Sequence, residues 1–342
     1  MDALAVAVTR GGIRESLHRV HVAVADARGR IRASAGDPYL ITFLRSSAKP
    51  LQALPLVESG AADAFGLGES ELAIACASHA GGAVHTAAAT ALLRKAGLTP
   101  AALRCGIHAP EDREAAEALA GQAPVRLHNN CSGKHAGMLA VCVHRGWDPA
   151  TYLDPEHPLQ AEIRALVTAV AGATPVIGTD GCGVPTFGLP LAAMATAFAR
   201  LGSGETLPAG RAAAAVRLAA AMAAHPELVS GPGHFNTEFL RRHGAAWMLK
   251  GGAEGLWCGA LRGPGGLGLA VKAEDGSGRG STPAFLAVLE ALGLPGGSDP
   301  ALADHRRPVV RNTLGAAVGW VEVVSPLAWP PLRLQEGMVG GA

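Results

Sequence analysis

Leu17-His18-Arg19-Val20-His21-Val22-Ala23-Val24-Ala25 is the stretch that fixes the fold class. Apolar residues recur at every second position from Val20 to Val24, the period of a strand. Asp26-Ala27-Arg28-Gly29-Arg30 follows as a hairpin turn into Ile31-Arg32-Ala33. Residues 3–9 precede it as a further strand. The same character returns only towards the other end of the chain. There Ala246-Trp247-Met248-Leu249-Lys250, the segments 255–261 and 266–272, and finally 315–324 read as strands, with a helix over 281–293 between them. From about 46 to 225 the pattern is helical, with segments at 46–59, 84–97, 111–120, 133–145, 157–171, 189–201 and 209–224. Strands, then helices, then strands predict an α/β (α+β) architecture: an antiparallel sheet built from both chain ends, with a helical lobe inserted between them. The expected division is a sheet lobe of 1–45 plus 226–342 and a mainly helical lobe of 46–225, with the active site between them.

The 342 residues are 49% hydrophobic, enough for one large core or two lobes. A formal net charge of +1 gives no reason to expect nucleic acid or an anionic membrane as partner. No stretch of about eighteen apolar residues occurs, so no spanning helix is expected. The first ten residues lack a basic n-region and a cleavage signature, which points to a cytoplasmic protein. The six cysteines do not form a disulfide framework. Cys76, Cys105, Cys142 and Cys258 read as small buried hydrophobes, whereas Cys131 and Cys182 sit among Gly, Asn, Ser and Asp.

Lysine usage points to chemistry. Five lysines stand against twenty-four arginines, and four of the five lie in polar, Gly-punctuated clusters at Lys49, Lys134, Lys250 and Lys272. A guanidinium keeps its proton in a protein, whereas an ammonium can be desolvated and made neutral. Lysines kept at such places suit a general base, a nucleophile's partner or a metal ligand. Lys95, at an apparent helix end, reads as a surface residue.

Four motifs carry the candidates. Ser46-x-x-Lys49 puts a hydroxyl and an amine on one helix face, with Pro50 in the first turn, so that Lys49 can take the Ser46 proton during attack on a carbonyl. Ala77-Ser78-His79-Ala80-Gly81-Gly82 offers a second serine. His128-Asn129-Asn130-Cys131-Ser132-Gly133-Lys134-His135 is the densest polar run, and reads as a metal site or an amide-binding pocket. Gly178-Thr179-Asp180-Gly181-Cys182-Gly183 is a tight turn with an approachable thiol. Cys131, Lys134 and Cys182 could share one Zn²⁺, with Asp180 beside it. Lys250 or Lys272, on strands, could serve as a second base.

Taken in order, these motifs together with Lys250-Gly251-Gly252-Ala253-Glu254-Gly255 resemble the third structural class of L-asparaginases, the rhizobial type. The resemblance spans nearly the whole chain. It implies a serine β-lactamase/glutaminase-like fold, a homodimer, and hydrolysis of L-asparagine to L-aspartate and ammonia. It implies two Ser–Lys tandems, Ser46 with Lys49 and Ser78 with Lys250. It implies Zn²⁺ on Cys131, Lys134 and Cys182, with Asp180 as the neighbouring carboxylate. Arg45, Asn130, His135 and Asp180 are then candidates for holding substrate. Two places depart from the family pattern: Gly81-Gly82 stands where Gly-Glu is usual, and His234 and Asn236 where Arg and Asp are usual. These bear on substrate preference more than on reaction class. The competing readings are a glutaminase or β-lactamase-like serine amidohydrolase, and a catalytically silent amino-acid-binding relative.

Overall fold

The computed structural model describes residues 2–325, 327 and 329. Its strands are β1 (Leu4–Arg10), β2 (Ile13–Asp26), β3 (Ile31–Ala35), β4 (Ile41–Phe43), β5 (Val176–Thr179), β6 (Pro185–Pro190), β7 (Trp247–Gly252), β8 (Leu256–Leu261), β9 (Leu267–Ala273), β10 (Val309–Arg311) and β11 (Ala317–Val323). Its helices are α1 (Lys49–Glu58), α2 (Ala61–Ala64), α3 (Glu69–Ala75), α4 (Ala83–Lys95), α5 (Arg113–Ala118), α6 (Ser132–Arg145), α7 (Pro158–Ala171), α8 (Leu191–Ser203), α9 (Ala209–Ala224), α10 (Pro226–Val229), α11 (Phe235–His243), α12 (Gly278–Ala291) and α13 (Ala303–Arg306). The class is α/β, with an antiparallel sheet drawn from both chain ends. No helix among the described residues is long and apolar enough to cross a membrane.

The chain divides into two compact units. One contains 1–47, 189–206 and the chain from 245 onward; the other contains 48–188 and 207–244. This differs from the sequence-based division at two places, each with a packing reason. Helix α8 belongs with the sheet because it lies on β2, β8 and β9. Helices α10 and α11 belong with the helical unit because α10 packs on α3 and α9, and α11 on α9. The expected sheet lobe also runs past residue 325, where all but 327 and 329 lie outside the described residues.

In the sheet unit the strand order is β10-β11-β1-β2-β9-β8-β7, and β3 also pairs with β2. The alternating stretch at 17–25 is the middle of β2. Its earlier part pairs with β1, its later part with β3, and β9 pairs along Val20 to Asp26. Helix α12 packs on β1, β2, β8, β9 and β11. Every residue of β9 is buried, and it is apolar apart from Lys272. Gly268 shows why: a Cβ there would land on the Ala195 carbonyl of α8, so only glycine lets the helix lie this close.

The helical unit is organised around α1, which is buried from Lys49 to Leu56 and packs on α6, α7 and α9. Helix α6 starts against the end of α3. A Cβ at Gly133 would meet the Ile74 carbonyl, so this glycine sets the approach of two chemistry-bearing segments. Strands β5 and β6 pair antiparallel from Val176↔Gly188 to Thr179↔Pro185, which puts Cys182 at the tip of a hairpin.

Candidate active site

Within the helical unit, the start of α1, the loop after α3, the turn before α6 and the β5–β6 tip supply the polar groups. Lys49 is the first residue of α1 and has no exposed surface. Its Nζ donates to the Ala77 carbonyl at 2.5 Å and lies 2.8 Å from Ser78 Oγ and 3.3 Å from the Asn130 carbonyl. A neutral amine has two N–H donors and one lone pair. The two carbonyls can only accept, so in the neutral form they can take the two N–H groups and leave the lone pair within reach of the Ser78 hydroxyl. Burial pushes the Lys49 amine below the ordinary lysine value, and the positive charge of Lys134 adds to this. The Cys131 sulfur pulls in the opposite direction without reversing it.

The serine loop is held by its main chain. The Ser78 N–H donates to the Val229 carbonyl at 2.9 Å, and the His79 N–H to the Asn130 carbonyl at 3.1 Å. The Asn130 carbonyl therefore serves both the lysine and the serine loop. Asn129 shapes the turn: its Oδ1 accepts from the Cys131 N–H at 2.9 Å, and its Nδ2 donates to the Gly106 carbonyl at 2.8 Å.

Cys131, Lys134 and Cys182 form a second buried group. Their residues are 4%, 2% and 6% exposed, and the Lys134 Nζ lies 3.0 Å from Cys182 Sγ. The two thiols hydrogen-bond to each other. Donation from Cys182 holds the Cys131 thiol far below its usual range, while the same shared proton and burial push Cys182 up. Burial alone would lower Lys134, but the two sulfurs beside it hold the amine above the ordinary value. Two thiols and an amine gathered in a dry place are a donor set that fits Zn²⁺, which would displace the shared proton and the lysine proton. Among the described residues, no group of three or more His, Cys, Asp or Glu is placed to hold a metal, so the fit rests on lysine as a donor.

In the sheet unit, Ser46 lies in a 3-10 turn spanning Arg45–Ala48. Arg45 enters it with a left-handed φ of 47°, uncommon for a residue with a Cβ. The neighbouring Ser47 Oγ donates to the Lys250 carbonyl at 2.9 Å, tying this turn to β7. Lys250 is 1% exposed, and its Nζ donates to the Gly251 carbonyl at 2.8 Å. Within its own unit, the Lys49 amine meets Ala77, Ser78 and Asn130.

The profile of the L-asparaginase II family matches residues 6–323. The chain belongs to the L-asparaginase II family. No curated protein matches this asparaginase II chain. Solved structures of a protein named Mglu are similar to it at a distance. The native form is 17% identical with a TM-score of 0.48, covering 83% of this chain and 66% of that one. The glutamate form is 15% identical with a TM-score of 0.45, covering 83% and 63%. The chain spans about two thirds of the length of those structures.

The remaining expected residues of this asparaginase II chain fall as follows. Asn130 uses its main-chain carbonyl as described, and its Oδ1 lies 3.2 Å from Cys131 Sγ. Asp180 opens the β5–β6 tip, accepts from the Gly181 N–H at 2.8 Å, and adds to the field that keeps Lys134 charged. His135 has no exposed surface; its Nδ1 lies 2.6 Å from the Tyr152 hydroxyl, and its Nε2 has no partner among the described residues. Lys272 lies on β9, 7% exposed, and donates to the Ala273 carbonyl. Lys95, read as a surface residue, is exposed and pairs with the buried Glu71 at 2.7 Å.

Both departures from the family pattern border clefts. Gly81, Gly82, His85, Asp112 and His128 line one of about 610 Å³, and Ala80, Glu111, Asp112 and His234 line another of about 580 Å³. Asn236 is buried. Sequence reasoning missed the Ala77 and Val229 carbonyls, which are backbone acceptors with no residue signature. It also left His79 without a role, although its place beside Ser78 was a usable signal.

Proposed function

We propose that this chain is an amidohydrolase that converts L-asparagine to L-aspartate and ammonia, with Ser78 as nucleophile and Lys49 as its base. The observation that carries this reading is the Lys49 amine, dry, lowered in basicity and 2.8 Å from the Ser78 hydroxyl. Lys49 takes the Oγ proton as Oγ bonds to the carboxamide carbon. The tetrahedral adduct collapses as the proton held on Lys49 passes to the departing nitrogen, releasing ammonia and leaving an acyl ester on Ser78. Water then attacks that ester, giving its proton to Lys49, and aspartate leaves as Ser78 regains its hydrogen. The Ser78 and His79 N–H groups are already bonded to carbonyls, so the oxyanion must find other donors.

Zn²⁺ on Cys131, Lys134 and Cys182 would supply a Lewis acid and a fixed positive charge to orient substrate. The family resemblance supports this metal, a homodimer and a cytoplasmic location. Ser46 and Lys250 complete the set of Ser–Lys residues that the resemblance implies.

Ammonia release from L-asparagine, with L-glutamine and a chromogenic β-lactam as comparison substrates, tests the reading. Ser78→Ala should lose about 10⁴-fold or more in kcat. Near-normal turnover in that variant, with Ser46→Ala inactive, would move the nucleophile to Ser46.

A further inference from the structure

His79 follows the nucleophile directly, is fully buried, and has no part in the chemistry above. Its bonds define its tautomer. The Gly81 N–H donates to Nδ1 at 3.2 Å, so Nδ1 carries no proton. The hydrogen is therefore on Nε2, which donates to Ser132 Oγ at 2.9 Å. Ser132 Oγ passes its own proton to the Leu127 carbonyl at 2.9 Å, which closes the chain of donors. The ring also stacks on His85, centroids 5.1 Å apart at 11°. His85 is itself fixed neutral, with Nδ1 accepting from the Gly82 N–H and Nε2 donating to the Glu227 carbonyl.

One imidazole thus joins the loop carrying Ser78 to the first residue of α6, the helix that carries Lys134. The same loop docks on the Asn130 carbonyl through the His79 N–H, and that carbonyl also accepts from Lys49. The Ser132 end and the Ser78–Lys49 pair are thus tied through one turn, Asn130 to Ser132, which anchors the serine loop and the amine together. A displacement of about 1 Å in a reacting pair can cost about 100-fold in rate.

We propose that His79 is a positioning residue for the Ser78–Lys49 site proposed above: as a neutral Nε2–H donor to Ser132, it sets the Ser78 hydroxyl at the Lys49 amine. This rests on Ser78 and Lys49 being the nucleophile and base. The role needs a donor at the reach of Nε2 and an acceptor at the reach of Nδ1. Glutamine can supply the first, and an apolar side chain can supply neither.

The test measures L-asparagine turnover and the rate at which a fluorophosphonate probe labels Ser78, read by mass spectrometry. His79→Leu should lower kcat and the labelling rate by about 10- to 100-fold with KM changed less than about twofold. His79→Gln should recover part of both losses. Ser132→Ala should reproduce the defect without touching the loop, and the double variant His79→Leu/Ser132→Ala should be no worse than the poorer single variant, since both break one link. Wild-type rates of turnover and labelling in folded His79→Leu or Ser132→Ala would overturn the proposal while leaving the nucleophile assignment intact. A wild-type protein that hydrolyses asparagine but is not labelled at Ser78 would overturn the assignment, and the positioning role with it.

Discussion

Lys49 and Lys134 occupy matching places, one opening α1 and the other in the first turn of α6, and both are buried. Their amines are driven in opposite directions. Lys49 faces two carbonyls and a hydroxyl at hydrogen-bond distance, and although the Cys131 sulfur acts to hold its proton, desolvation together with the charge of Lys134 outweighs it and the proton is loosened. Lys134 faces two sulfurs that share one proton, so their negative charge outweighs desolvation and the proton is held. Burial sets how strongly a neighbour is felt, and the neighbour's charge sets the sign. The first environment suits the base, and the second the metal ligand, of the proposed function.

The sharpest test of that contrast is Lys49→Arg. A guanidinium can be buried in its place but cannot give up its proton, so kcat should fall about 10²- to 10⁴-fold, as in Lys49→Met. An arginine variant with near-native turnover, measured by ammonia release, would break the comparison. Lys134→Met should act on metal instead. Zinc per chain, measured by elemental analysis, should drop well below wild type, and full zinc occupancy in that variant would remove lysine from the donor set. Withdrawing zinc with a chelator should lower the thermal midpoint, because a ligand at about 100 times its Kd contributes about 2.7 kcal/mol. An unchanged midpoint would show that the sulfurs and Lys134 are stable on their own.

The smallest effect lies at Lys95 and Glu71, a lysine–carboxylate pair at the edge of the same unit. Burial would push the Glu71 carboxyl up, but Lys95 and the Gly68 N–H hold it below its usual value of 4.5. A carboxylate lowered in the folded state stabilises above its unfolded value and loses that contribution as pH falls through the folded value. Glu71→Gln should therefore cost on the order of 1 kcal/mol near neutral pH and flatten the loss of stability below about pH 4.5. Denaturant titrations at two pH values would reveal an unchanged slope if the pair is idle.

Much of the architecture was readable. The alternation in β2 and the long apolar helices at 133–145, 157–171 and 209–224 fall within a residue or two of α6, α7 and α9. Short elements were not. Helix α11 begins Phe235-Asn236-Thr237 and is rich in charge, and β5 and β6 are brief strands set among helices. The polar clusters were legible as chemistry, but the approach of Lys49 to Ser78 was not. Three-residue spacing aligns side chains on one continuous α-helix. Here α1 begins only at Lys49, and Ser46 sits in a tighter turn after a left-handed Arg45. The partner that Lys49 does meet comes from a loop twenty-nine residues away, which no local rule encodes.

The scarcity and burial of lysine have a practical corollary. Lys49, Lys134, Lys250 and Lys272 are all buried, which leaves Lys95 as the exposed lysine among the described residues. Succinimide esters and aldehyde resins, which capture free primary amines, would therefore reach one side chain, at the end of α4. Once the α-amine at the chain start is blocked, tethering through that point would orient every molecule alike and leave the dry amines untouched.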